Sequence, residues 1–228
     1  MASNMVEDVS FPVDLELAAR FDEIDSRDAL PEVVKNFIPP PEAIVWKFDG
    51  EQSIRLIFGD LPLDRFEETK LHNLFIELRK TNFPLKGTCF EGHDYLLRFL
   101  QGNEWDVPRC IEDMKRHLEW AKITFPLPLD VIDRSLKEGY CYISGRDYYL
   151  RPVFIIRCVT LQNCAMKEAL DVVIYWLEYI KQKMLVKNRI DQWRVIVDLG
   201  GCTLTHFPIS TMKEVALCFE ISEDVSVK

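Results

Sequence analysis

The sequence predicts an α/β protein (α+β in overall order), with a helical first part followed by a mainly parallel sheet with flanking helices. Two observations carry this. From Asp64 to about Leu136 apolar residues recur at helical spacing. After Gly139 the period changes, and two short apolar runs, "PVFIIRC" and "WRVIVDL", enclose a long amphipathic helix. Strand, helix, strand with continuously apolar strands is the pattern of a parallel sheet built from crossover units, and such a crossover is right-handed.

Residues 1–58 read as an acidic N-terminal extension. It is weakly periodic and carries "IPPPE", whose prolines favour extended backbone, so it is expected to lie as a strap over the surface. Within it, "AIVWKFDGEQSIRLIF" holds two β-rich runs around Asp49-Gly50, a candidate hairpin at 43–57. A lone hairpin is marginal in water, so this one must rest on the main body.

Residues 60–138 form the predicted helical lobe. Leu71, Leu74, Phe75 and Leu78 fall on one helical stripe. "HDYLLRFLQ" turns Leu96, Leu97, Phe99 and Leu100 inward and stops at Gly102 and Asn103. Asp106 is placed to cap the next helix and Pro108 sits in its first turn, with Ile111, Met114 and Leu118 as the apolar stripe. A short helix around Val131 to Leu136 completes the lobe.

Residues 139–228 hold the predicted sheet. "YCYIS" and "PVFIIRC" are short β-rich runs separated by a polar turn. In the long helix after them, Leu170, Val173, Ile174, Leu177, Ile180 and Met184 mark a wide apolar face. "WRVIVDL" is the next strand and "ISTMKEVALCFE" a further helix.

Composition narrows the function. The 228 residues carry a net charge of −9, which argues against nucleic acid, because phosphate contacts need clustered Lys and Arg. The N-terminus lacks the basic and apolar regions of a signal peptide, and no apolar run is long enough for a transmembrane helix. A cytoplasmic location is expected. The seven cysteines include no C-x-x-C pair, so they suit neither a disulfide framework nor zinc, and the four scattered histidines offer no ligand set. No metal or cofactor is expected. Ser135, Ser144 and Ser210 sit in no nucleophile elbow, and no phosphate-binding glycine loop is present, so no catalytic residue is assigned.

Three segments in register resemble one family. "YLLRFLQGNEWDVPRCIEDMKRHLEWAK" is similar to the helical N-lobe of the CRAL-TRIO lipid-binding and lipid-transfer proteins. "GRDYYLRPVFIIR" resembles that family's Gly-x-Asp…Arg-Pro-Val lead into a strand, and "VIVDLGGCTL" its strand-Asp-Leu-x-Gly turn. The resemblance covers roughly residues 60–221. It implies a mixed, mainly parallel sheet with flanking helices, and an apolar cavity between them for one hydrophobic ligand such as a phospholipid. Burial of hydrocarbon at roughly 0.8 kcal/mol per methylene drives such binding, so no catalytic group is required.

On this resemblance the expected lipid-binding residues are Tyr142, Arg151, Phe154, Ile156, Val173, Tyr175, Leu177, Trp193, Val195 and Val197. Arg151 is either a phosphate contact at the pocket mouth or a strand-end charge. Tyr142 and Tyr175 either bond a head group or bond protein. Phe154 and Ile156 either wall a cavity or pack on the helix over 170–184. Asp198 organises the turn after its strand or binds a cation there. Lys181, Lys183, Lys187 and Arg189 form either a solvated helix end or a patch for transient contact with a membrane surface.

The chain also departs from the family pattern. Leu150 stands where the family has glycine, Asn103 and Glu104 where basic residues are common, and Trp193 and Val195 where phospholipid-transfer relatives place small hydroxyl residues. The resemblance further implies a Tyr-Pro-Glu-Arg motif, another strand and a gating helix after "KEVALCFE", whereas this chain ends "ISEDVSVK". An incomplete, shortened sheet with an exposed edge is therefore expected. Two readings stay beside lipid binding: a protein-interaction module using that edge, and an α/β enzyme using Asp198 with Gly200-Gly201.

Overall fold

Short apolar stretches in the N-terminal segment become structure only by resting on the two lobes. The computed structural model describes residues 14–23, 29–47, 53–161, 164–202, 209–210 and 212–215. Helix α1 (Leu15–Glu23) is capped by Asp14, whose Oδ1 accepts the Leu17 N–H at 2.9 Å while Oδ2 accepts the Leu127 N–H at 2.8 Å. Leu17 and Phe21 are thereby driven into the core of the second lobe, with the Phe21 ring edge-on to Tyr175 and Tyr179 at 5.2 Å each. Helices α2 (Glu32–Lys35) and α3 (Pro41–Ile44) continue the segment over the surface. Strands β1 (Val45–Trp46) and β2 (Ile54–Arg55) pair antiparallel, Val45 with Arg55 and Trp46 with Ile54. The Asp49-Gly50 turn expected between them lies outside the described residues.

An ion pair fixes this ribbon to the helical lobe. Arg55 Nε and Nη2 donate to Glu67 at 2.7 and 2.6 Å, both side chains being almost wholly buried. Glu67 also closes the capping box of α4 (Arg65–Lys80): Asp64 accepts the Glu67 N–H at 2.8 Å, and Glu67 Oε2 accepts the Asp64 N–H at 2.9 Å. Helix α5 (His93–Gly102) ends at Asn103, and α6 (Val107–Thr124) starts on the Asp106 side chain with Pro108 in its first turn. Leu71, Leu74, Leu78, Leu96, Leu97, Leu100, Met114 and Leu118 form one core around Phe90, which meets Phe99 edge-on at 4.7 Å. Helix α7 (Leu129–Ser135) and a 3-10 turn over Leu136–Glu138 lead to Gly139, whose left-handed φ of 66° ends the helical run.

The second lobe is built on strands β3 (Cys141–Arg146), β4 (Pro152–Arg157) and β5 (Arg194–Asp198), in spatial order β3-β4-β5. The short polar turn makes the β3–β4 ladder antiparallel, whereas the crossover makes β4–β5 parallel, so the sheet is mixed. That crossover runs through α8 (Cys158–Leu161) and α9 (Met166–Tyr179), which continues into a π-helical turn over Ile180–Met184. Residues 209–210 and 212–215 are helical, and Val215 joins the core. Flanking helices on a mixed sheet make this an α/β lobe with a second, separate core.

The lobes meet at Asp191. It accepts the Phe58 N–H at 2.9 Å and pairs with Arg98 at 3.6 Å, while the Arg98 guanidinium stacks on the Phe58 ring at 4.6 Å. Burial pushes the Asp191 carboxyl above the ordinary range, and the Arg98 charge only partly opposes it.

Candidate functional site

Register decides which side chains share a face. Cys141 and Ile143 of β3 pair with Ile156 and Phe154 of β4, which pair in turn with Val197 and Val195 of β5. These point toward α9. Tyr142, Ile155 and Ile196 are partners on the opposite face.

The α9 face is filled over β3 and β4. Phe154 and Ile156 are 0% exposed, so no water-sized space touches them, and Val173, Tyr175 and Leu177 are buried in the same core. Of the two readings of Phe154 and Ile156, packing in the core beside the helix is the one their burial favours. Helix α9 brings its apolar side, including Val173, Ile174 and Leu177, into the same core.

At β5 the cover stops. Val195 and Val197 are each 39% exposed, and Ile196 on the other face is 50% exposed. Trp193 packs against the core, yet its buried indole N–H has no hydrogen-bond partner among the described residues. An orphaned buried donor costs about 1–3 kcal/mol, a cost that an acceptor from outside would relieve. This strand stands at the rim of the described sheet.

Arg151 is committed elsewhere. Its Nε donates to Asp147 Oδ2 at 2.7 Å, its Nη2 lies 2.6 Å from the same oxygen, and the guanidinium stacks on Tyr149 at 5.0 Å. Asp147 Oδ1 accepts the Tyr149 and Arg151 N–H groups, each at 2.9 Å, and Oδ2 takes Arg194 Nε at 3.3 Å. Burial works to raise the Asp147 carboxyl, but Arg151, its N–H and Arg194 outweigh it and hold the group below the usual carboxylate range. Tyr142 is exposed on the face away from α9, and Tyr175 is buried among Phe21, Trp176 and the Arg20 guanidinium. Asp198 Oδ1 accepts the Gly200 N–H at 2.8 Å, the turn-organising role.

Sequence reasoning missed Arg146. Its guanidinium donates to the Leu150 carbonyl at 2.6 Å and the Met184 carbonyl at 2.9 Å, and also to the Ala29 carbonyl, joining turn, helix end and N-terminal strap. Only its place in a polar turn signalled it. The basic cluster is likewise occupied: Lys181 pairs with Glu178, Lys183 with Asp22, Lys187 with Asp60 at 3.1 Å, and Arg189 donates to the Lys35 carbonyl. Among the described residues no group of three or more His, Cys, Asp or Glu side chains is placed to hold a metal ion, and no helix is long and apolar enough to cross a membrane.

A helical lobe beside an α/β lobe whose described sheet ends in a half-exposed apolar strand defines a helix-and-sheet module. In comparison with known proteins, residues 136–222 match the model of the CRAL/TRIO domain. That family is known for binding small lipophilic ligands, and its members are generally not enzymes. The chain is also similar to a CRAL-TRIO domain-containing protein of Schizosaccharomyces pombe, 24% identical over 144 residues, which are 58% of this chain and 32% of that protein. The chain thus spans about a third of the length of the curated relative it matches.

Proposed function

We propose that the protein binds a hydrophobic ligand, a phospholipid or another small lipid, along β5 on the face shared with α9, and carries it between membranes from the cytoplasm. The observation that carries this reading is the contrast across one ladder: Phe154 and Ile156 are sealed, while their partners Val195 and Val197 are open. Beside these two, the unpartnered Trp193 N–H supplies a donor for a ligand oxygen. Phe154, Ile156, Val173, Tyr175 and Leu177 then bound the strip from the side as packed core, and Arg151 shapes the turn into β4. No step needs a nucleophile or a metal, since removal of hydrocarbon from water supplies the free energy. Membrane contact is transient in this reading.

A second reading rests on β5 having no outer neighbour among the described residues, which leaves backbone donors and acceptors for another protein's strand. Organic extraction of the purified full chain, followed by mass spectrometry, separates the two. Stoichiometric lipid, lost in Val197→Asp, supports the first. A lipid-free chain that associates through β5 sinks it in favour of the second.

A further inference from the structure

A cavity of about 370 Å3 lies away from the β5 strip, where three parts of the chain converge. The strap contributes Leu17 and Ala18, the helical lobe Cys89, Tyr95, His117, Trp120 and Phe125, and the end of α9 with its π turn Glu178, Lys181 and Gln182. Neither core fills this space, although its size falls within the roughly 300–1,000 Å3 usual for small-molecule sites.

The walls are largely aromatic, and the polar groups gather on the α9 side. Lys181 is held by Glu178, and both side chains are mostly buried. Gln182 Nε2 lies 3.5 Å from the same carboxylate. Asp14, also at the rim, already accepts a backbone N–H on each oxygen. Burial pushes the Cys89 thiol up to about 12, so it lines the cavity as a neutral group. The π turn that carries Lys181 and Gln182 is a rare distortion, frequent at functional sites.

We propose that this interlobe cavity is a second binding site, for a small neutral amphiphile with an aromatic or alkyl body and one hydroxyl or amide head. The charge pattern selects neutrality. Lys181 and Glu178 cancel one another, and the Asp14 carboxylate spends both oxygens on backbone N–H groups, so an ionised ligand would lose its hydration without finding a free counter-charge. A neutral head finds donors and acceptors at Tyr95, Gln182 and the pair, while Leu17, Trp120 and Phe125 take the body. Because the strap, the helical lobe and α9 each supply a wall, occupancy ties the three together.

The probe is para-pentylphenol, titrated into the full chain by calorimetry and by the NMR signal of the Trp120 indole. Pentyltrimethylammonium and hexanoate serve as charged comparisons. Saturable binding at one site is expected, with each ion at least about tenfold weaker than the phenol. Ala18→Trp fills the cavity from the strap and should weaken the phenol by about tenfold or more. Val197→Asp, on the β5 strip, should leave the phenol affinity within about twofold, which separates this site from the lipid reading. If Ala18→Trp does not fold, Gln182→Leu at the cavity rim decides, with a several-fold loss expected. Unchanged affinity in the folded cavity variant, or ions that bind as tightly as the phenol, overturns the proposal.

Discussion

Phe154 and Val195 are partners across the β4–β5 ladder and point to one face, yet Phe154 is wholly sealed and Val195 is 39% exposed. Truncation therefore has opposite consequences on the two strands. Phe154→Ala should cost about 3–5 kcal/mol in urea unfolding, the range for emptying a packed aromatic site. Val195→Ala should cost under about 1 kcal/mol, while reducing the lipid recovered on extraction. Equal losses of stability would place Val195 in the core and remove the strip.

The Arg55–Glu67 pair predicts a non-additive cycle. Arg55→Met strands a buried carboxylate and should cost about 3–5 kcal/mol, whereas the double variant Arg55→Met, Glu67→Met should recover much of that loss. Glu67 also serves the α4 cap, so recovery should stop about 1 kcal/mol short. A double variant no more stable than Arg55→Met would show that the pair does not act as a unit.

Most of the fold was legible because periodicity records burial. The α4, α5 and α6 stripes, the Asp106 cap and the change of period at Gly139 all lie where local pattern and tertiary packing agree. The site was less legible, for the reason seen at "PVFIIRC" and "WRVIVDL": a core strand and the strand proposed to face a ligand use the same side chains, and only tertiary cover tells Phe154 from Val195. Arg151 shows a second limit. Its charge is visible in the sequence, but its partner Asp147 depends on how the turn closes.

That turn contains a residue in the wrong backbone region for its type. Leu150 has a φ of 58°, left-handed, and its N–H bonds the Asp147 carbonyl at 2.9 Å. A side chain there costs about 1–2 kcal/mol, which glycine avoids. Part of that gain is lost to the greater freedom of glycine in the unfolded chain. Leu150→Gly should therefore stabilise by up to about 1 kcal/mol, raising Tm with no change in the β3–β4 ladder by amide exchange. A lower Tm would mean that Leu150 packing outweighs the strain.

Asp147 gives the pH dependence of the same turn. Arg151, two N–H groups and Arg194 hold its carboxyl below the usual value against the opposing effect of burial. A group depressed on folding contributes stability that is fully present above its unfolded value, about 3.9, and is lost as pH falls toward the folded one. Asp147→Asn keeps an acceptor but removes the charge, and should lower stability at pH 7 by about 2 kcal/mol. Urea titrations of the two proteins should converge as pH drops below about 4. A gap that persists unchanged at about pH 3 would assign the turn's stability to shape and not to the carboxylate charge.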